Sequence, residues 1–196
     1  MSLLAVLRAR PLPHFVCAAY LSLRWRCLVS PDCRIYYPFN IEIGRGTRLI
    51  GRVTIIANGS VRIGSNVEIY EGSVLHCQNG AIEIGNDTAL GPGVTVYGTG
   101  GVKIGSKCSI AARTTIVSSS HRFESPDIPI RDQGNDLKRT VIEDDVWIAA
   151  GVTIGYGVTV GRGAVIGANS FVRKDVPEMA IAAGVPGEVV RLRTGR

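Results

Sequence analysis

From Ile142 to Val172 a branched aliphatic residue returns every six positions: Ile142, Ile148, Ile154, Val160, Ile166 and Val172. Four places after each of the first five stands a small or β-branched residue: Val146, Val152, Val158, Ala164 and Ser170. An amphipathic helix repeats at about 3.6 residues and an ordinary strand at about 2, so a sustained period of six fits neither. It does fit a short strand followed by a bend. Each small residue and the next aliphatic one lie two apart and point to the same side of one strand. Gly155, Gly161 and Gly167 directly follow three of the aliphatic positions, where the chain bends and a positive φ is useful. Three such strands per turn enclose a triangular prism filled by the aliphatic rows.

The earlier part carries the same code with insertions. Ile43-Gly44, Ile63-Gly64, Ile84-Gly85 and Ile104-Gly105 are separated by 20, 21 and 20 residues. Inside each interval the step of six persists: Ile43, Leu49, Ile55; Ile63, Ile69, Leu75; Ile84, Leu90, Val96; Ile104, Ile110, Ile116. The extra residues fall in segments that resemble one another, starting at Asn58-Gly59, Asn79-Gly80 and Thr99-Gly100. This pattern predicts a solenoid of roughly six turns.

Two regions stand outside the code. Over residues 13–29, Val16, Tyr20, Leu23 and Cys27 share one helical face, with Arg24 and Arg26 off it. The expectation is a helix capping the first turn, because the end of a solenoid is an open apolar cross-section. A sharper alternative is a basic amphipathic surface making peripheral membrane contact through residues 1–30. The second region, 122–141, contains Pro126, Pro129 and Gly134 and no six-residue register. It reads as a loop expelled from one corner, and long loops in compact domains are often functional. The organisation expected is a helical cap segment over 1–40, the solenoid over 41–177 with its expelled loop, and a tail over 178–196.

Composition narrows the function. The net charge of +6 sits at the ends, with +4 in residues 1–40, +2 in 171–196 and zero between. A neutral body without a basic, aromatic stripe argues against a polynucleotide partner. Five scattered cysteines, Cys17, Cys27, Cys33, Cys77 and Cys108, include no CxxC pair, so neither zinc nor a disulfide framework is expected. The apolar start meets Arg8, Arg10, Pro11 and Pro13, unlike a secretory signal, and the stretch from Phe15 to Leu23 is too short to span a bilayer. These features point to a reducing, cytoplasmic setting.

His121 stands where the regular turn stops and the loop begins. Imidazole titrates near neutrality, which suits a general base, and a surface histidine with a structural hydrogen bond is the plain alternative. The run Val141-Ile142-Glu143-Asp144-Asp145-Val146-Trp147-Ile148 adds a further signal. So do Arg173-Lys174-Asp175-Val176-Pro177 and Ala183-Gly184-Val185-Pro186. With Ser119-Ser120-His121 and the expelled loop, the chain resembles the hexapeptide-repeat acyltransferases over about residues 41–193, and within them the sugar O-acetyltransferase branch.

That resemblance implies an all-β, left-handed parallel β-helix and a homotrimer with sites between neighbouring prisms. It implies acetyl-CoA as co-substrate, no metal, and a sugar or glycan acceptor in polysaccharide or surface-glycan synthesis. By position, His121 matches the catalytic base and Trp147 an aromatic beside the acceptor. Ala150 and Ala168 match small residues along the pantetheine groove. Arg173, Lys174 and Arg191 match residues near the nucleotide end, where basic groups suit phosphates. Glu124 and Asp127 are both near enough in sequence to orient the imidazole. Three departures stand out. Residues 90–101 lack the acceptor-binding asparagine common in the branch, Ala149 replaces a glycine, and Glu188 stands where a basic residue is common.

Other readings divide on visible features. A zinc hydratase of the γ-carbonic-anhydrase type needs three histidines per site, whereas His76 and His121 are 45 residues apart with no third neighbour. A non-catalytic assembly β-helix has no use for His121, Trp147 and a basic end together. An N-acetyltransferase acting on a nucleotide-linked amino sugar remains as a short-form alternative. The glycines around Gly155-Tyr156-Gly157 superficially match a dinucleotide fingerprint, yet no helix follows and the register already explains them.

Overall fold

The computed structural model describes residues 12–193. The sequence expectations that fall on residues 1–11 and 194–196, including part of the cap segment and of the membrane-contact region, lie outside these.

Helix α1, His14–Trp25, opens the described chain. Pro13 precedes it, and Arg26 ends it in the left-handed conformation (φ 53°). Its buried side is Cys17, Ala18 and Leu21, which differs from the expected face. Val16 and Leu23 of that face are 37% and 82% exposed. Small Cys17 and Ala18 let the helix backbone come close to the first turn, and a longer side chain at that arc would hold it away. The helix packs against strands of all three faces of that turn and closes the prism's end.

Apart from the expelled loop, the chain from Leu28 to Ala183 then winds as a parallel solenoid. The first face stacks Leu28–Val29, Arg48–Leu49, Glu68–Ile69, Ala89–Leu90, Ser109–Ile110, Trp147–Ile148, Val165–Ile166 and Ala180–Ala183. The second stacks seven strands from Arg34–Tyr36 to Phe171–Val172, and the third stacks six from Ile41–Ile43 to Thr159–Val160, extended by a bridge from Val160 to Val176. About eight turns result, more than the repeat count implied. The first two strands, Leu28–Val29 and Arg34–Tyr36, precede the first Ile-Gly pair, and the last turn reaches its third face by a single bridge. A final strand, Glu188–Leu192, reverses and pairs antiparallel with Ala180–Ala183.

Every aliphatic residue of the six-residue rows points inward and is buried, as are Val146, Val152, Val158, Ala164 and Ser170. Where the inward row carries a hydroxyl, the group is satisfied by a corner carbonyl. Thr47 donates to Gly64 at 2.6 Å, Thr88 to Gly105 at 2.8 Å and Ser73 to Gly91 at 3.1 Å.

The glycines after the aliphatic positions serve a purpose other than the expected one. None of Gly44, Gly64, Gly85, Gly105, Gly155, Gly161 and Gly167 has positive φ; that conformation falls elsewhere in the corners, at residues such as Gly151, Gly157 and Gly163. Gly85 is required by proximity instead, because a Cβ there would lie 2.6 Å from the carbonyl carbon of Gly105 in the next turn.

Candidate functional site

The three corners of the prism differ. Across the corners between faces three and one, and between faces one and two, the inward aliphatic residues stay six apart through the repeating turns. Across the corner between faces two and three the spacing is 8 (Ile55 to Ile63), 9 (Leu75 to Ile84), 8 (Val96 to Ile104), 26 (Ile116 to Ile142) and 6 (Ile154 to Val160). The short insertions and the expelled loop therefore share one corner.

The loop is not irregular throughout. Ser119–His121 and Asn135–Leu137 form an antiparallel pair that places His121 opposite Asn135. Two fully buried hydroxyls clamp its base. Ser118 Oγ donates to the Tyr97 carbonyl at 2.7 Å and accepts from the Gly100 N–H at 2.9 Å. Thr140 Oγ1 donates to the Val117 carbonyl at 2.8 Å and accepts from the Gly157 N–H at 3.0 Å. Farther out, Arg122 pairs with Asp136 at 2.7 Å, and this hydrogen bond pushes the guanidinium's pKa above its already high ordinary value. Gln133 staples the tip by donating to Ser125 and Ile128 carbonyls at 2.9 and 2.7 Å.

His121 is exposed at the foot of this hairpin, and among the described residues its ring has no hydrogen-bond or ion-pair partner. Neither carboxylate considered from sequence, Glu124 or Asp127, is hydrogen-bonded or ion-paired to the ring among the described residues: Glu124 accepts from the Phe123 N–H at 3.0 Å. Asp136, the acid in the paired strand, is held by Arg122. The His121 ring is thus exposed and unpartnered.

The other expected residues divide between two places. Arg173 and Lys174 sit at the same corner as the hairpin, two turns on, above Tyr156, whose ring lies 5.4 Å from Lys138 Nζ. Both are exposed, and Lys174 Nζ lies 3.9 Å from a Glu188 oxygen, so the acid at the departing position faces the base it would have joined. Trp147, 54% exposed, stands on the first face between Ser109 and Val165.

Ala150 and Ala168 stack at the corner between faces one and two, where the Asn169 N–H donates to the Ala150 carbonyl at 2.9 Å. Ala112 continues the column one turn below and was not singled out by sequence, because small corner residues there look like any other bend. The segment Gly184–Gly187, with a cis Val185–Pro186 bond, forms a lip beside this column. It is strapped to Phe171 by two backbone bonds of 3.0 and 2.7 Å. Arg191 lies on the reversed end strand opposite Ile181 and donates to the Leu192 carbonyl. The chain therefore places His121, Arg173 and Lys174 along one corner, two turns apart, and Trp147, Ala150 and Ala168 on another side.

Sequence reasoning also passed over Ser118, Thr140 and Tyr97. A buried hydroxyl in the inward row reads as a β-branched filler until the loop it clamps is seen. The five cysteines are free, and burial pushes each thiol's pKa up, so they are suited to packing rather than nucleophilic attack. Among the described residues no group of three His, Cys, Asp or Glu side chains could hold a metal ion.

Residues 139–174 match the family model of the bacterial transferase hexapeptide (six repeats), and 81–116 match the hexapeptide repeat of succinyl-transferase. The architecture is the left-handed β-helix of that repeat. No curated protein matches the chain. Among solved structures, the chain is similar to a point variant of AntD, an N-acyltransferase from Bacillus cereus, in complex with dTDP-4-amino-4,6-dideoxyglucose and coenzyme A. The two are 23% identical over 80% of this chain and 82% of that one, with a TM-score of 0.64. NeuO, a polysialic-acid-specific acetyltransferase, is 29% identical over 80% and 74%, with a TM-score of 0.58. A hexapeptide transferase family protein from Anaplasma phagocytophilum is 20% identical over 79% and 80%, with a TM-score of 0.62.

Proposed function

We propose that the chain is an acyltransferase that moves an acetyl group from acetyl-CoA to a sugar hydroxyl in surface-glycan synthesis on the cytoplasmic side of a membrane. The observation that carries this reading is His121, an unpartnered imidazole held at the foot of a clamped hairpin. In this role it accepts the hydroxyl proton as the oxygen attacks the thioester carbonyl. The tetrahedral intermediate then collapses and the coenzyme A thiolate leaves, with no acyl-enzyme formed. General-base assistance of this kind is worth roughly 10²–10⁴-fold. The column Ala112, Ala150 and Ala168 offers a smooth track for the pantetheine arm, and Arg173, Lys174 and Arg191 are cations for its phosphates.

Because Trp147 and the alanine column lie away from His121 within one copy, the site in this reading is completed by a neighbour. A homotrimer sets one prism's hairpin against the next prism's first face.

The similarity to AntD favours a second reading, transfer to an amino sugar carried on a nucleotide. The base separates the two. A neutral amine attacks a thioester without prior deprotonation, whereas a sugar hydroxyl, far less acidic than imidazolium, gains most from a base. The test is acetyl transfer by the parent and His121→Ala to hydroxyl and amino-sugar acceptors. Titration with acetyl-CoA accompanies it, for the parent and for Lys174→Ala and Arg191→Ala. A loss of roughly 10²–10⁴-fold in kcat on a hydroxyl acceptor, with acetyl-CoA binding retained in His121→Ala, supports the proposal. Activity on amines alone, nearly unchanged by the substitution, supports the second reading, and no binding of acetyl-CoA to the folded parent sinks both.

A further inference from the structure

Helix α1 is apolar on two sides. One arc, Cys17, Ala18 and Leu21, is buried against the first turn. The other carries Phe15, Ala19 and Leu23, spaced four apart, with Val16 beside them, and it faces away from the prism. Phe15 is 62% exposed and Leu23 82%. Leu28, just past the helix, is 55% exposed and adds to the same end of the molecule. A helix with apolar residues on opposite sides normally buries both of them.

The charges around this ridge indicate what covers it. Arg24, Arg26 and Arg34 are exposed, and among the described residues none of them pairs with a carboxylate. Arg24 lies 5.0 Å from the centroid of the Trp25 ring. Farther along the prism Arg48 pairs with Glu68 and Arg62 with Glu42, whereas Arg45, Arg52 and Arg113 have no ion pair among the described residues. Three unpaired cations thus lie on the helix and the first turn beside the apolar ridge, together with an indole. A second copy presenting this same surface would set arginine against arginine. An anionic bilayer supplies both an apolar layer for the ridge and phosphates for the guanidinium groups.

We infer that α1 docks the molecule on an anionic lipid surface, with Phe15, Val16, Ala19 and Leu23 at the acyl boundary and Arg24 and Arg26 among the headgroup phosphates. Because α1 closes the end of the prism, the axis then points away from the membrane, and His121 lies four turns beyond the first one. At the strand spacing of about 4.8 Å this is a height of roughly 19 Å. The inference is independent of the activity proposed above.

The test is sedimentation of the full chain with vesicles of phosphatidylcholine alone and of phosphatidylcholine with phosphatidylglycerol. The expected result is binding to the anionic vesicles and not to the neutral ones. Partition should fall by about tenfold or more in Phe15→Ser/Leu23→Ser and by about fivefold for each arginine in Arg24→Gln and Arg26→Gln. All substituted side chains are solvent-exposed, and circular dichroism checks that the variants keep the parent fold. Failure of the parent to bind anionic vesicles overturns the inference, and so does binding unchanged in the double variant. A lower sedimentation coefficient for the double variant, with no vesicle binding by the parent, assigns the ridge to a second copy instead.

Discussion

Two corners of one prism obey opposite rules. Between faces three and one every repeating turn takes the same number of residues, and its glycines stack so closely that a Cβ at Gly85 would collide with the backbone of the next turn. Between faces two and three the chain takes in two or three extra residues in early turns, about twenty at the hairpin and none afterwards. The first corner keeps the turns in register. The second is free of that duty, so an exposed side chain such as His121 can be set there without disturbing the stack. A solenoid can thus vary one corner while the others hold its turns in register.

That contrast can be broken most forcefully at the tight corner. Gly85→Ala should cost about 3 kcal/mol, as overpacking against backbone that cannot yield. Gly134→Ala, in the hairpin loop with φ +81° and open space around it, should cost about 1 kcal/mol for the conformation alone. Equal losses in paired denaturant titrations would remove the distinction. The boundary between the regimes is Thr140, and Thr140→Val leaves the Val117 carbonyl and the Gly157 N–H without their buried partner. We expect a loss of about 2 kcal/mol by the same titration, together with faster amide exchange across 119–137. A stability loss with unchanged exchange would show that the hairpin does not depend on this clamp. The smallest effect belongs to the third corner. Ala168→Leu, at an exposed position, should leave the melting temperature within a degree or two and raise KM for acetyl-CoA by about tenfold, if the pantetheine arm runs over this column. An unchanged KM would move the arm elsewhere.

Much of this was legible in the sequence. The six-residue step predicted which side chains turn inward, and each of those aliphatic residues is buried, because a close-packed prism tolerates little else in that row. The expelled segment was equally visible as a break in register. What escaped is set by contacts between turns. The reason for Gly85 is the backbone of the next turn, the purpose of Ser118 and Thr140 is a loop they do not belong to, and the buried arc of α1 depends on what it docks against. His121 and Trp147 stood out as residues, yet only the winding reveals that they sit on different sides of the prism.

The reversed strand at the far end carries a consequence of its own. A solenoid of parallel strands ends in open hydrogen-bonding groups, and two such ends could join head to tail without limit. Glu188–Leu192 runs against the preceding strand and presents five exposed residues, with Glu188 and Arg191 among them. An incoming chain finds an edge of the wrong polarity and carrying charge. Five residues of reversed, charged strand thus blunt this edge of the first face against pairing with a further parallel strand.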